Sequence, residues 1–233
     1  MSEVIVALDV PSAALARRIV DRVGETGDFY KVGLELYTSV GPAIIEELVR
    51  RGKRVFLDLK LHDIPNTVAA TVRVASQLGV DLLTMHVAGG PTMLEAAREA
   101  ASVDLRLLGV TVLTSLTPDE MSTVWDREIL SVRDEVGRLA ELAGASGMHG
   151  VVASAMEASW LRGRVAEGFL IVTPGIRPSG SDRGDQQRVA TPADAVRAGA
   201  DYLVVGRPIT QASDPQAALA AILAEVASAV AEE

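Results

Sequence analysis

Apolar and polar positions along this chain alternate between two kinds of segment. Short runs rich in valine, isoleucine and leucine recur from end to end. They are VIVALDV from Val4, FYKVGLEL from Phe29, RVFLDLKL from Arg54, LLTMHV from Leu82, LRLLGVTVL from Leu105, GVVASA from Gly150, FLIVTPGI from Phe169 and YLVVGRPI from Tyr202. Runs that are apolar on both faces predict strands covered on both sides, as in a parallel sheet. Helical patterns lie between them. PSAALARRIVDRV follows the first run, with Ser12 as N-cap. GPAIIEELVRRG follows the second, with Pro42 near its start and Gly52 past its end. PNTVAATVRVASQLG, GPTMLEAAREAAS and ILSVRDEVGRLAELAGASG follow the next three, the last after an extra turn at TPDEMSTVW. MEASWLRG, TPADAVRAGA and DPQAALAAILAEVASAVAEE complete the series, the last as an outer cover.

Eight such βα units in 233 residues predict an α/β fold of the (β/α)8 TIM-barrel type, one domain over residues 1–233. The competing open doubly wound sheet has fewer strands and a glycine-rich turn after the first strand. Here the first strand runs into ALDVPS, without that turn.

Composition narrows the picture. Apolar residues make up 48% of the chain, enough for a sizeable core. A formal net charge of -9 disfavours general binding to nucleic acid or to anionic membrane, both of which want a basic surface. It leaves room for a small anionic ligand in a locally basic pocket. With no cysteine there is no disulfide framework, thiolate metal site or thiol nucleophile. No apolar run is long enough to cross a bilayer, and the start MSEVIVALDV lacks a basic leader. The expectation is a soluble cytoplasmic protein.

In a barrel of this kind, side chains at the C-terminal strand ends build the active site. Polar residues collect there. Asp9 ends the first strand and Lys31 sits in the second. Asp58, Lys60 and Asp63 close the third, His86 the fourth, while Thr114 and Arg207 follow the fifth and eighth. Strand alternation puts Phe56, Asp58 and Lys60 on one face and Val55, Leu57, Leu59 and Leu61 on the other. The leucine face should meet helices and the charged face should line the mouth. From spacing alone, a structural ion-pair network and a catalytic array are both open. The VVGRPI segment puts Gly206 and Arg207 where such barrels often bind phosphate, and an ordinary turn would look similar. TPGIRPSGSDRGDQQRVATP, between the seventh strand and its helix, is long for a βα loop. It reads as a surface loop closing on a ligand or as a passive insertion, and Arg177 and Gln186 are its candidates for a phosphate. His62 and His86 lack a clear third partner for a metal.

ALDVP, YKVGLEL, FLDLKLHDIPNT, TPGIRP with the following GDQ, and VVGRPI, in that order, resemble the orotidine 5'-monophosphate decarboxylase family. The D-x-K-x-x-D core at Asp58, Lys60 and Asp63 is shared more widely among phosphate-binding barrels; IPNT and the phosphate loop make the match specific. The resemblance implies decarboxylation of orotidine 5'-monophosphate (OMP) to UMP, the last step of de novo UMP synthesis, with no metal or organic cofactor. It implies Lys60 as proton donor to C6 and Asp58 beside the departing carboxylate. It implies Lys31 and Asp9 at the ribose hydroxyls and in the charge network. Asp63, with Ile64 and Thr67, would reach a partner's active site, hence a homodimer. Thr114 or Ser115 would contact the pyrimidine. Arg177, Gln186, Gly206 and Arg207 would hold the phosphate, with Pro174 opening the lid.

Three rivals share these residues. A sugar-phosphate synthase or epimerase would use the same core with a divalent metal. A Schiff-base aldolase would need a neutral Lys60, which flanking acids oppose. A nucleotide-binding protein without turnover would bind UMP only.

Overall fold

The computed structural model describes residues 2–179 and 189–231. Eight parallel strands close into a barrel in sequential order. They are β1 (Glu3–Ala7), β2 (Phe29–Gly33), β3 (Arg54–Leu61), β4 (Leu82–His86), β5 (Arg106–Val110), β6 (Gly150–Val152), β7 (Leu170–Thr173) and β8 (Tyr202–Val205). Closure is made by β1 against β8, from Glu3 opposite Tyr202 to Val6 opposite Val205. Helices α1 (Ala13–Val23), α2 (Leu34–Val40), α3 (Ala43–Arg50), α4 (Pro65–Gln77) and α5 (Pro91–Ala100) cover the first half. The second half carries α6 (Pro118–Trp125), α7 (Val132–Ala145), α8 (Ala155–Arg162), α9 (Pro192–Arg197), the single turn α10 (Arg207–Thr210) and α11 (Pro215–Ala231).

Period-two alternation splits the strands between two cores. Inside the barrel lie Ile5, Ala7, Phe29, Phe56, Leu82, Leu108, Val172, Tyr202 and Val204. Their neighbours Val4, Val6, Leu57, Leu83, Leu107, Ile171 and Leu203 face the helices. The inner group fills the barrel from its N-terminal end. There Arg54 stacks on the Phe29 ring at 4.1 Å, and Phe29 meets Tyr202 edge-on at 5.8 Å. A filled lower barrel leaves the C-terminal mouth for chemistry.

Helix starts follow local chemistry. Ser12 caps α1, accepting from the Leu15 N–H. The extra turn is a full helix, α6, closed by a capping box in which Thr117 and Glu120 bond reciprocally. Gly52, at φ 70°, takes the left-handed turn after α3 that a side chain would resist.

Several strands end earlier than their apolar runs. FYKVGLEL is strand only to Gly33, and Leu34 opens α2. The last β2–β3 pair is Gly33 with Asp58, and past it helix supplies the backbone bonds that the ladder no longer offers. For the same reason YLVVGRPI leaves the sheet after Val205 and winds into α10. Helix α7 starts at Val132 behind its Ser131 cap rather than at Ile129.

Candidate active site

Sequential strand order sets the ends of β1, β2 and β3 side by side. Ala7 pairs with Lys31, and Gly33 with Asp58. Asp9, two residues beyond Ala7, therefore overhangs Lys31. The Lys31 ammonium donates to Asp9 Oδ1 at 2.6 Å and lies 3.6 Å from Asp58 Oδ2. Lys60 Nζ donates to both Asp58 oxygens, at 2.9 and 2.8 Å. Asp9, Lys31, Asp58 and Lys60 thus form one row of alternating charge.

Burial grades along this row. The Lys31 and Asp58 side chains are 9% and 12% exposed, Lys60 31% and Asp9 57%. Burial by itself raises the Asp58 carboxyl's affinity for protons. The charges of Lys31 and Lys60, with hydrogen bonds from Lys60 and Thr84, outweigh it and hold the group below the usual carboxylate range. Opposite charges about 4 Å apart attract by roughly 4 kcal/mol at an intermediate dielectric. Desolvation of buried ions costs several kcal/mol each, so such a cluster adds little net stability. The row is better explained by chemistry than by folding.

The backbone at Lys60 has a φ of 50°, one of two non-glycine residues with positive φ among those described. That conformation costs a side-chain-bearing residue on the order of 1–2 kcal/mol. It coincides with a register shift between β3 and β4. The expected faces survive the irregularity: Leu57, Leu59 and Leu61 pack toward the helices. Asp58 and Lys60 line a cavity of about 660 Å³ in the barrel mouth.

That cavity gathers most of the residues expected from sequence. Asp9, Lys31, Asp58 and Lys60 border it with Thr114, Pro174, Arg177, Gly206 and Arg207. Ser115 is absent from the lining, so of the two pyrimidine candidates Thr114 is the one at the cavity. Arg177 is nearly buried, its guanidinium donating to the Ile176 carbonyl at 2.9 Å. The base of its loop is tied by a parallel bridge between Ile176 and Ala190. Gln186 lies outside the described residues. Asp63, Ile64 and Thr67 are exposed and do not border this chain's own cavity. Asp63 Oδ1 accepts from the Ile64 N–H at 2.6 Å, and the Ile64 side chain stands 66% exposed.

His86 does not border the cavity either. Its ring lies 5.6 Å from that of His62. Burial, then the neighbouring His62 and Lys60, lower its pKa against the opposing pull of Asp58, so it is neutral at pH 7. No group of three or more His, Asp or Glu side chains is arranged to hold a metal ion among the described residues.

Three contributors escaped the sequence reading. Thr84, inside an apolar run, is fully buried and donates to Asp58 Oδ1 at 2.9 Å. A polar residue within a doubly covered strand was its signal. Gly33 has no side chain because a Cβ there would stand 2.8 Å from Asp9 Oδ1 and 3.0 Å from Lys31 Nζ. Arg18, on α1, lines the same cavity as Arg207. Its position on an amphipathic surface helix gave no sign of this.

Residues 2–222 match the model of the Orotidine 5'-phosphate decarboxylase / HUMPS family. The chain belongs to that family. Among its curated members, the orotidine 5'-phosphate decarboxylase of Moorella thermoacetica is 50% identical, over 96% of this chain and 92% of that protein. The enzyme of the same name from Laribacter hongkongensis is 51% identical, over 98% and 94%. A family member of known structure, orotidine 5'-phosphate decarboxylase from Lactobacillus acidophilus, superposes with a TM-score of 0.87 at 38% identity, covering 97% of this chain and 99% of that one.

Proposed function

We propose that this chain decarboxylates OMP to UMP and CO2 without a cofactor, as the last step of de novo pyrimidine nucleotide synthesis. The observation that carries the reading is the Lys60 ammonium, fixed on Asp58 within the cavity that also holds Arg177 and Arg207. The names of the relatives at about half identity support it.

The chemistry follows from the charges. Breaking the bond between C6 and the carboxylate leaves an electron pair on C6, with no cofactor to delocalise it. The Lys60 ammonium, set beside that carbon, stabilises the developing charge and delivers a proton to it. Lys60 is then neutral and regains a proton from solvent. Asp58 holds the Lys60 ammonium in place beforehand, and it faces the substrate carboxylate with like charge. Lys31 and Asp9 hold the ribose hydroxyls. Thr114 meets the pyrimidine. Arg177, Gln186, Gly206 and Arg207 take the phosphate, whose remote binding energy closes the Pro174 segment over the reacting end.

Asp63, Ile64 and Thr67 act in the neighbouring subunit of a homodimer. Their exposure outside their own cavity, and the apolar Ile64 at the surface, support this. We read residues 1–233 as one catalytic domain working in the cytoplasm. Among the described residues, no helix is long and apolar enough to cross a membrane.

A metal-dependent sugar-phosphate enzyme would draw on the same core, and the positions of the lysines weigh against it. Asp58, the natural ligand, already faces two ammonium groups, at 2.8 and 3.6 Å, which repel a divalent cation. The test is the loss of OMP absorbance on adding purified protein, with and without a chelator. Turnover unchanged by chelator is expected. No turnover of OMP, or turnover abolished by chelator and restored by magnesium, refutes the reading.

A further inference from the structure

We propose that Thr84 of β4 is a positioning residue that holds the Lys60 backbone and the Asp58 carboxylate in their working arrangement; the proposal rests on the decarboxylase reading. Between Leu57 and Leu61 β3 advances four residues, while β4 advances only two, from Leu83 to Met85. Asp58, Leu59 and Lys60 therefore stand opposite Thr84 alone. An irregularity of this kind interrupts the ladder and re-aims side chains. It also needs a new partner for the displaced backbone, because an unpaired buried N–H is costly.

Thr84 supplies that partner. The Lys60 N–H donates to Thr84 Oγ1 at 2.9 Å, and the same hydroxyl donates to Asp58 Oδ1 at 2.9 Å. Asp58 in turn accepts from Lys60 Nζ. The bonds form a closed ring that leaves Lys60 by its backbone and returns to its ammonium. Direction within the ring is set by chemistry. A backbone N–H only donates, so the hydroxyl proton is left for the carboxylate, and an ionised carboxylate only accepts. An ionised Asp58 accepts at both oxygens, and the ring is observed with Lys60 in its left-handed conformation. Thr84 is fully buried, and both bonds of its hydroxyl run to Lys60 and Asp58, so the polar atom there serves these two residues.

The test compares Thr84→Val, which keeps shape and removes both bonds, with Thr84→Ser, which keeps both. With OMP, Thr84→Val should lose roughly ten- to a hundredfold in kcat, the scale of one lost hydrogen bond to a charged group, with KM changed by less than about threefold. Thr84→Ser should recover most of that kcat. A kcat for Thr84→Val equal to wild type, or a Thr84→Ser as impaired as Thr84→Val, overturns the proposal. If Thr84→Val does not fold, Thr84→Cys, a close match in volume with a weak donor, replaces it in the same comparison. A crystal structure of the variant decides independently of turnover. Lys60 should leave positive φ, or Asp58 should rotate away from Nζ; an unchanged ring of the remaining groups overturns the proposal. Wild-type protein inactive on OMP would refute the decarboxylase reading, while the crystal structure would still test the role of Thr84.

Discussion

Gly33→Ala isolates the charge row from the fold. The backbone at Gly33, φ -96° and ψ -178°, is extended and open to alanine, so the substitution brings no conformational strain of its own. The added Cβ would lie 2.8 Å from Asp9 Oδ1 and 3.0 Å from Lys31 Nζ, inside van der Waals contact with both. Both are tips of side chains, so the molecule yields there first and the Asp9–Lys31 contact of 2.6 Å lengthens. At an effective dielectric of about 20, unit charges attract by roughly 6 kcal/mol at that distance and roughly 4 kcal/mol at ~4 Å. Solvent screening of the half-exposed Asp9 reduces the difference to about 1–2 kcal/mol. The expected result is a fall of roughly five- to thirtyfold in kcat/KM for OMP. The melting temperature should fall by no more than about 4 °C, since little apolar burial changes. In an Asp9→Ala background the same substitution should cost far less, because one of the two clashing groups is gone. Wild-type kcat/KM in Gly33→Ala, or equal losses in both backgrounds, refutes the steric argument.

Lys60→Ala and Lys60→Gly should both lose nearly all OMP turnover, and Lys60→Gly should be the more stable in urea by about 1 kcal/mol, because glycine accepts positive φ; near-normal turnover in either refutes the role of Lys60. Arg207→Ala should weaken OMP far more than the nucleoside orotidine in steady-state kinetics, and equal losses on both contradict the phosphate assignment. The depressed pKa of Asp58 means that its ionised form stabilises the native state fully above the ordinary carboxylate pKa of about 4 and loses that effect as pH falls through the lower folded value. The urea stability gap between wild type and Asp58→Asn should therefore be flat from about pH 6 to 8 and shrink in acid. Mixing inactive Lys60→Ala with inactive Asp63→Ala should restore part of the activity if Asp63 serves the partner's site, since one site in each mixed dimer keeps both groups; no recovery after confirmed subunit exchange counts against it.

Sequence alone determined which segments form the barrel and which side chains carry charge. Apolar runs such as RVFLDLKL have the composition of doubly covered strands wherever they lie, and local patterns such as Ser12 and the Thr117–Glu120 pair mark helix starts from within a few residues. The charged ends were legible because Asp, Lys and Arg stand out at the close of apolar runs. Strand ends were not, since Leu34 and Leu36 continue an apolar run after β2 has lost its ladder partner. Tertiary structure alone decided that Asp9, Lys31 and Asp58, distant in sequence, meet within hydrogen-bond or ion-pair range. That depends on barrel closure and register, which follow from contacts between segments. The left-handed turn at Lys60 is of the same kind: nothing in lysine favours it, and it exists because β4 offers one residue, Thr84, opposite three.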